Sequence, residues 1–311
     1  MSTAAFAAEL ESYGPAPLAA RRAPTLAESQ EYCRRLARSH YENFTVASFF
    51  LPRDLRPHFH AIYSYCRWAD DLADETAGGE ESLRLLDWWE QELLDCYAGD
   101  ARHPVFVALR HTVDEFAIPI EPFQNLLVAF RQDQYRKRYE TFNELLGYCR
   151  NSANPVGRLV LYLGRSASPE NFALSDSICT GLQLANFWQD VARDYDRGRI
   201  YLPLADCRAA GYDESMLQRR EFNPSFRKLL WDEVDRAESM LRQGETLVWN
   251  VSRALRLEVL LFIRGGLAIL ESIRRLDYNV WRQRPVVSKL ARLRILAAAW
   301  WRTCRDPGAR A

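Results

Sequence analysis

"NFWQDVARDYDRGRIYLP", residues 186–203, sets Asn186, Asp190 and Asp194 four residues apart. An α-helix turns about 100° per residue, so these three side chains fall along one edge. Like charges at that spacing repel by roughly 0.2–0.5 kcal/mol per pair. A cation is the obvious compensation, and its case depends on a second such edge elsewhere in the chain.

"YSYCRWADDLADE", residues 63–75, supplies one. Asp70 and Asp74 are again four apart, with Asp71 beside them. Tyr63 and Arg67 fall on the same face as Asp70 and Asp74. The neighbours Ile62, Trp68, Leu72 and Ala73 are apolar, which predicts a helix buried on several sides. A buried carboxylate pair without a partner is costly and tends to lose its charge.

For either edge alone, a solvated helix face is the commoner reading. Two edges, each with an Arg close by, favour a site for a hard cation. Neither contains His, and a single thiol, Cys66, is the only soft donor in the two stretches, which disfavours zinc and copper. Mg²⁺ takes oxygen ligands, keeps several waters and commonly shares its shell with substrate phosphates. Mg²⁺ with Arg nearby suits a diphosphate. Among many aromatics, the same site suits loss of diphosphate and formation of a carbocation in a dry pocket.

The rest of the chain is read as helical. Few stretches alternate with period two, and there is no internal repeat, GxGxxG or GxxxxGK[ST]. Helices are predicted near 27–38, 54–75, 80–98, 104–117, 120–138, 141–164, 171–195, 224–247, 250–278 and 287–302. No long linker divides them. The expected organisation is a loosely ordered N-terminus (1–25), one all-α domain (26–303) and a C-terminal tail (304–311). Pro155 and Gly157, in "NSANPVG" (151–157), predict a kink in the 141–164 helix. A bend that fits the core and a kink that opens a pocket are equally good readings of it.

Forty-one basic and 41 acidic residues cancel, which gives no general electrostatic reason to bind nucleic acid or an acidic membrane surface. At 48% apolar, with nine Trp and fourteen Tyr, the composition is that of a folded protein. Seven scattered Cys without a CxxC pair predict reduced thiols in a cytoplasmic setting. The N-terminus does not read as a signal peptide. The longest apolar run, "ILAAAWW" (295–301), is too short to span a bilayer.

At its two acidic edges the sequence resembles the squalene/phytoene synthase family, the head-to-head prenyl synthases. The first family motif, Tyr-x-x-x-Arg-x-x-Asp-Asp-x-x-Asp, is matched by Tyr63, Arg67, Asp70, Asp71 and Asp74. The second, with its Arg-x-Tyr-x-Pro extension, is matched by Gln183, Asn186, Asp190, Asp194, Arg199, Tyr201 and Pro203. The resemblance runs from about residue 30 to 290. Within the family, "HYENFTVASFFLP" (40–52), "CRWADDLADE" and "LQLANFWQDVARDYDRGRIYLP" are similar to the bacterial hydroxysqualene synthases of hopanoid biosynthesis. Condensing members more often carry Asn-Ile-Leu-Arg-Asp in place of "NFWQD", and a Gly-rich turn in place of "SANPVG".

The resemblance implies the all-α isoprenoid synthase fold, with helices around a central apolar cavity. It implies Mg²⁺-assisted loss of diphosphate from presqualene diphosphate, rearrangement and capture by water as hydroxysqualene. Asp70, Asp71, Asp74, Asn186, Asp190 and Asp194 would hold Mg²⁺, or Mn²⁺ in its place, and NADPH is not expected. Arg67 and Arg199 would bind diphosphate oxygens, and His40, Asn43, Phe44 and Gln183 would contact substrate. Tyr63, Tyr148 and Tyr201 would shape the reacting end together with Phe44. Asn154, exposed by the kink, would place the terminating water. "DQYRKR" (133–138) reads by default as a solvated basic turn, and Arg284 and Lys289 lie near a segment that closes over substrate in the family.

Two alternatives stay open. One is a transferase that condenses two prenyl diphosphates to presqualene diphosphate or phytoene. The other is a non-catalytic helical assembly factor. Peripheral membrane contact and partner enzymes of the same pathway also stay open.

Overall fold

In the computed structural model, which describes residues 3–20, 22–39 and 52–304, both acidic stretches are helical: Arg56–Asp74 and Pro169–Asp196. No β-strand forms among the described residues; Arg138 and Ile200 make one isolated bridge. The packing divides the chain into two compact units. The first comprises Met1–Tyr135 and Arg158–Arg165, the second Arg136–Gly157 and Ser166–Ala311.

The first unit is built around the Arg56–Asp74 helix, which packs against the helices Leu26–Ser39, Glu80–Ala98, Pro104–Phe116 and Glu121–Tyr135. Pro57 in its first turn lacks an amide hydrogen where no intrahelical partner was available anyway. Tyr65, Trp68 and Leu72 are fully buried. Trp68 stacks on Trp89 with ring centroids 5.2 Å apart, and His103 meets both rings edge-on. His103 caps the Pro104–Phe116 helix, its Nδ1 accepting from the Val105 amide at 3.1 Å. Complete burial pushes its pKa down to about 3 and keeps the ring neutral. His58 is likewise structural, with Nδ1 3.1 Å from the Thr112 hydroxyl.

The segment expected to be loosely ordered carries two helices, Thr3–Tyr13 and Pro15–Ala20. Phe6 is buried against the edge of Trp68, and Tyr32 donates to Glu9 at 2.7 Å. A short Ala-rich segment shows little apolar periodicity; its order comes from two buried anchors, Phe6 and Leu18.

The second unit is built around the Pro169–Asp196 helix, packed chiefly against Pro224–Gln243 and Arg253–Arg275. Ser168 caps it by accepting from the Asn171 amide at 3.2 Å. Leu184, Phe187, Trp188 and Val191 form its buried face. Gly181 permits the close packing, since a Cβ there would lie 2.8 Å from Leu241 Cγ and 3.1 Å from the Ala237 carbonyl. Beyond the helix, Ile200 donates its amide to Lys137 and Leu204 donates to Tyr139, tying residues 200–204 to residues 137–139.

The predicted 141–164 helix is two helices, Phe142–Ser152 and Asn154–Leu163. Pro155 sits in the first turn of the second, where proline is tolerated. Gly157 closes the joint: a Cβ would lie 2.4 Å from Ser175 Oγ and 2.5 Å from Cys179 Sγ. The observed break therefore packs into the core against the Pro169–Asp196 helix. The predicted 224–247 helix ends at Gln243 and continues as a 3₁₀ turn, Gly244–Thr246. Two short helices, Leu204–Ala209 and Glu214–Gln218, were too brief to show periodicity.

Candidate active site

On the Arg56–Asp74 helix, Tyr63, Arg67, Asp70 and Asp74 lie on the accessible face, while Ile62, Ala69, Leu72 and Ala73 are buried. Asp71 differs from its neighbours because its side chain is wholly buried. Arg67 grips it with two donors: Nε to Oδ2 at 2.9 Å, and Nη2 to Oδ1. Nη1 of Arg67 also lies 3.3 Å from Asp70 Oδ2. Asp71 is therefore the anchor that aims Arg67, a different task from the metal ligation expected of it. Asp70 has its carboxyl raised to about 6 by desolvation, against the pull of Arg67 and with the push of Asp74 and Asp71.

On the Pro169–Asp196 helix, Asn186 is exposed, and Gln183, Asp190 and Asp194 are partly so. Asp190 is held by Arg284, with Nε donating to Oδ1 at 2.6 Å and Nη2 to Oδ2 at 2.8 Å. Gln189 fixes the partner segment, donating to the Pro285 carbonyl at 2.6 Å and accepting from Arg284 at 3.1 Å. The Asp194 side chain has no hydrogen bond or ion pair among the described residues, while its backbone carbonyl accepts from the Arg199 amide at 2.8 Å. Desolvation and the Asp190 charge raise its carboxyl to about 7, against Arg199, Arg197 and Arg193.

Asp194 and Arg199 line a small cleft, with room for about one water molecule, together with Phe187, Val191, Tyr195, Tyr201 and Trp281. Tyr201 stacks on Phe187 with ring centroids 3.7 Å apart and planes 11° from parallel. Tyr148 lies 6.0 Å from Tyr201 and 6.2 Å from Phe187. These π faces beside a carboxylate and a guanidinium can stabilise positive charge on carbon.

Asn154 is buried, at 4% exposure, where the kink was expected to expose it. It opens the Asn154–Leu163 helix, and its Oδ1 accepts from the Thr180 hydroxyl at 3.0 Å. The basic 133–138 run stays at the surface, where Arg136 pairs with Glu144 and the exposed Arg138 with Glu214 at 3.0 Å. Lys289 is exposed, unlike Arg284. His40, Asn43 and Phe44 lie outside the described residues. Gln189, Thr180 and Trp281 were missed by the sequence reading. Only Gln189, beside Asp190, carried a positional hint.

Each acidic edge, taken by itself, has the donor chemistry of a Mg²⁺ site. Among the described residues no three acidic, His or Cys side chains converge as a ready-made cage. Each edge still presents oxygen donors, and Asp70 and Asp194 are carboxylates whose negative charge is only partly answered. An all-oxygen set that must be completed by water and phosphate oxygens fits Mg²⁺ better than a metal needing a full protein shell.

A profile of the squalene/phytoene synthase family matches residues 37–291. This chain belongs to that family, whose members are enzymes that process prenyl diphosphates. It is 31% identical over 292 residues to a phytoene synthase of Arthrospira platensis, covering 90% of this chain and 94% of that protein. It is 31% identical over 300 residues to a 15-cis-phytoene synthase of Synechocystis, covering 93% and 89%. Among solved structures it is similar to squalene synthase HpnC of Alicyclobacillus acidocaldarius: 45% identity, TM-score 0.79, with 82% and 96% of the two chains covered. A dehydrosqualene synthase in complex with ligand gives 25% identity and TM-score 0.81, with 89% and 97% covered. The fold is the all-α isoprenoid synthase fold.

Proposed function

We propose that this chain is a hydroxysqualene synthase. It converts presqualene diphosphate and water to hydroxysqualene and diphosphate, breaking the C–O bond to diphosphate and forming one C–O bond to water. The water's spare proton goes to solvent or to the departing diphosphate. The observation that carries this reading is 45% identity to a squalene synthase, HpnC, against 31% to phytoene synthases. The "NFWQD" and "SANPVG" segments support it from the sequence side.

Asp70, Asp74, Asn186, Asp190 and Asp194 are the residues that would hold Mg²⁺, which when bound offsets the charge of a leaving diphosphate. Arg67, aimed by Asp71, and Arg199, at the cleft, bind diphosphate oxygens. Tyr148, Phe187 and Tyr201 present aromatic faces to the cationic carbons. Asn154, whose carbonyl is committed to Thr180, is left with its amide NH₂ to orient the terminating water.

The test is product analysis after incubation with presqualene diphosphate and Mg²⁺, without nicotinamide. Hydroxysqualene is the expected product. No turnover there, but condensation of two farnesyl or two geranylgeranyl diphosphates, would replace this reading with the transferase one, which the phytoene synthase relatives favour. In Asn154→Ala the alcohol's share of product should fall. An unchanged ratio removes Asn154 from water placement.

A further inference from the structure

The C-terminal helix Lys289–Cys304 is built the wrong way round for a surface helix. Leu290, Leu293, Trp300 and Trp301 are 57%, 62%, 55% and 54% exposed. Their spacing, with Ala297 between them, places them on one arc of about 100°, bordered by Lys289 and Arg294. The opposite side carries buried Ala299 and rests on the Arg253–Arg275 helix. An exposed apolar stripe of this kind marks an interaction surface.

Charge identifies the partner. The chain as a whole has no net charge, yet between Asp277 and Asp306 it has seven Arg or Lys and no acidic residue. Arg292, Arg294 and Lys289 are exposed on the helix itself. Arg302 lies over the ring of Trp249, a further exposed tryptophan, at 5.6 Å. Tryptophan and leucine flanked by cations is the composition of a helix lying in the headgroup region of a bilayer. No helix among the described residues is long and apolar enough to cross a membrane.

We propose that the exposed face of Lys289–Cys304 docks this protein on an anionic lipid bilayer. Leu290, Leu293, Trp300 and Trp301 enter the interface, and the flanking cations pair with lipid phosphates.

The experiment is co-sedimentation of the full chain with phosphatidylcholine vesicles, with and without phosphatidylglycerol. Binding should require phosphatidylglycerol and fall at high salt. Trp300→Ala/Trp301→Ala should weaken it about tenfold or more, and Arg294→Ala, at the edge of the stripe, by about fivefold. Unchanged circular dichroism and turnover would show that both variants fold. Failure of the wild type to sediment, or equal binding by the variants, overturns the proposal. So does a dimer in sedimentation velocity that Trp300→Ala/Trp301→Ala dissolves, since the face would then belong to a second copy.

Discussion

On the Arg56–Asp74 helix, the guanidinium that answers a buried carboxylate comes from one turn away; on the Pro169–Asp196 helix it comes from 94 residues along the chain. The first pair, Arg67 with Asp71, is part of the helix that bears it, and its acid is wholly buried. The second pair, Arg284 with Asp190, is more open, with side chains 33% and 13% exposed. The first pair is therefore a fixed structural element. The second is a contact that tertiary packing makes and a competing cation can unmake.

The comparison breaks most sharply at Arg67. Arg67→Ala takes two guanidinium donors and a positive charge away from the buried Asp71 carboxylate, which should cost about 3–5 kcal/mol in urea unfolding. Adding Asp71→Asn to that variant should recover most of the loss, because the stranded charge is gone. If the single variant loses less than about 1 kcal/mol, the pair is no anchor.

Glu258 sharpens the comparison by showing a buried carboxylate with no guanidinium at all. It is 2% exposed, and neither carboxyl oxygen has a hydrogen-bond partner among the described residues. Burial raises its pKa from 4.5 to about 7. Below pH 4.5 both folded and unfolded chains carry the proton, and nothing is lost. As pH rises from 4.5 to about 7 the unfolded chain gives up its proton first, so stability falls, by roughly 3 kcal/mol in all. Glu258→Gln should remove that share of the decline, so urea titrations at pH 5 and pH 8 would show a smaller fall than in the wild type, the rest coming from Asp70, Asp194 and Glu233. A variant with the wild-type slope would place the titration elsewhere.

These contrasts also explain what could be read from the sequence. Helix positions and the two acidic edges follow from spacing alone, and so does Arg67, because a partner at i+4 is visible in one dimension. That Asp71 points inward could be inferred from Leu72 and Trp68 beside it, but its neighbours Asp70 and Asp74 masked it. Thr180 on Asn154, Trp281 at the cleft and Gln189 on Pro285 are long-range contacts with no local signature. The N-terminal helices escaped notice because two buried side chains hold them in place of a periodic face.

The smallest effect tests whether Arg284 is the cation's stand-in. Its guanidinium occupies both oxygens of Asp190, beside an Asp194 that has no ion pair among the described residues. A divalent ion drawn to this edge must displace Arg284 or share Asp190 with it. The pair is partly solvated and worth about 0.5–1 kcal/mol, so removing the guanidinium should tighten binding of Mg²⁺ alone by about two- to fivefold. Calorimetric titration of Arg284→Gln with Mg²⁺ at pH 8, where Asp194 is ionised, measures this directly. Arg67→Gln in the same titration should bring a smaller gain, since the oxygens it frees on Asp71 are buried and on Asp70 it gives up only one contact, at 3.3 Å. Weaker Mg²⁺ binding in Arg284→Gln would mean that Arg284 helps to build the site, and the contrast between the two helices would lose its functional half.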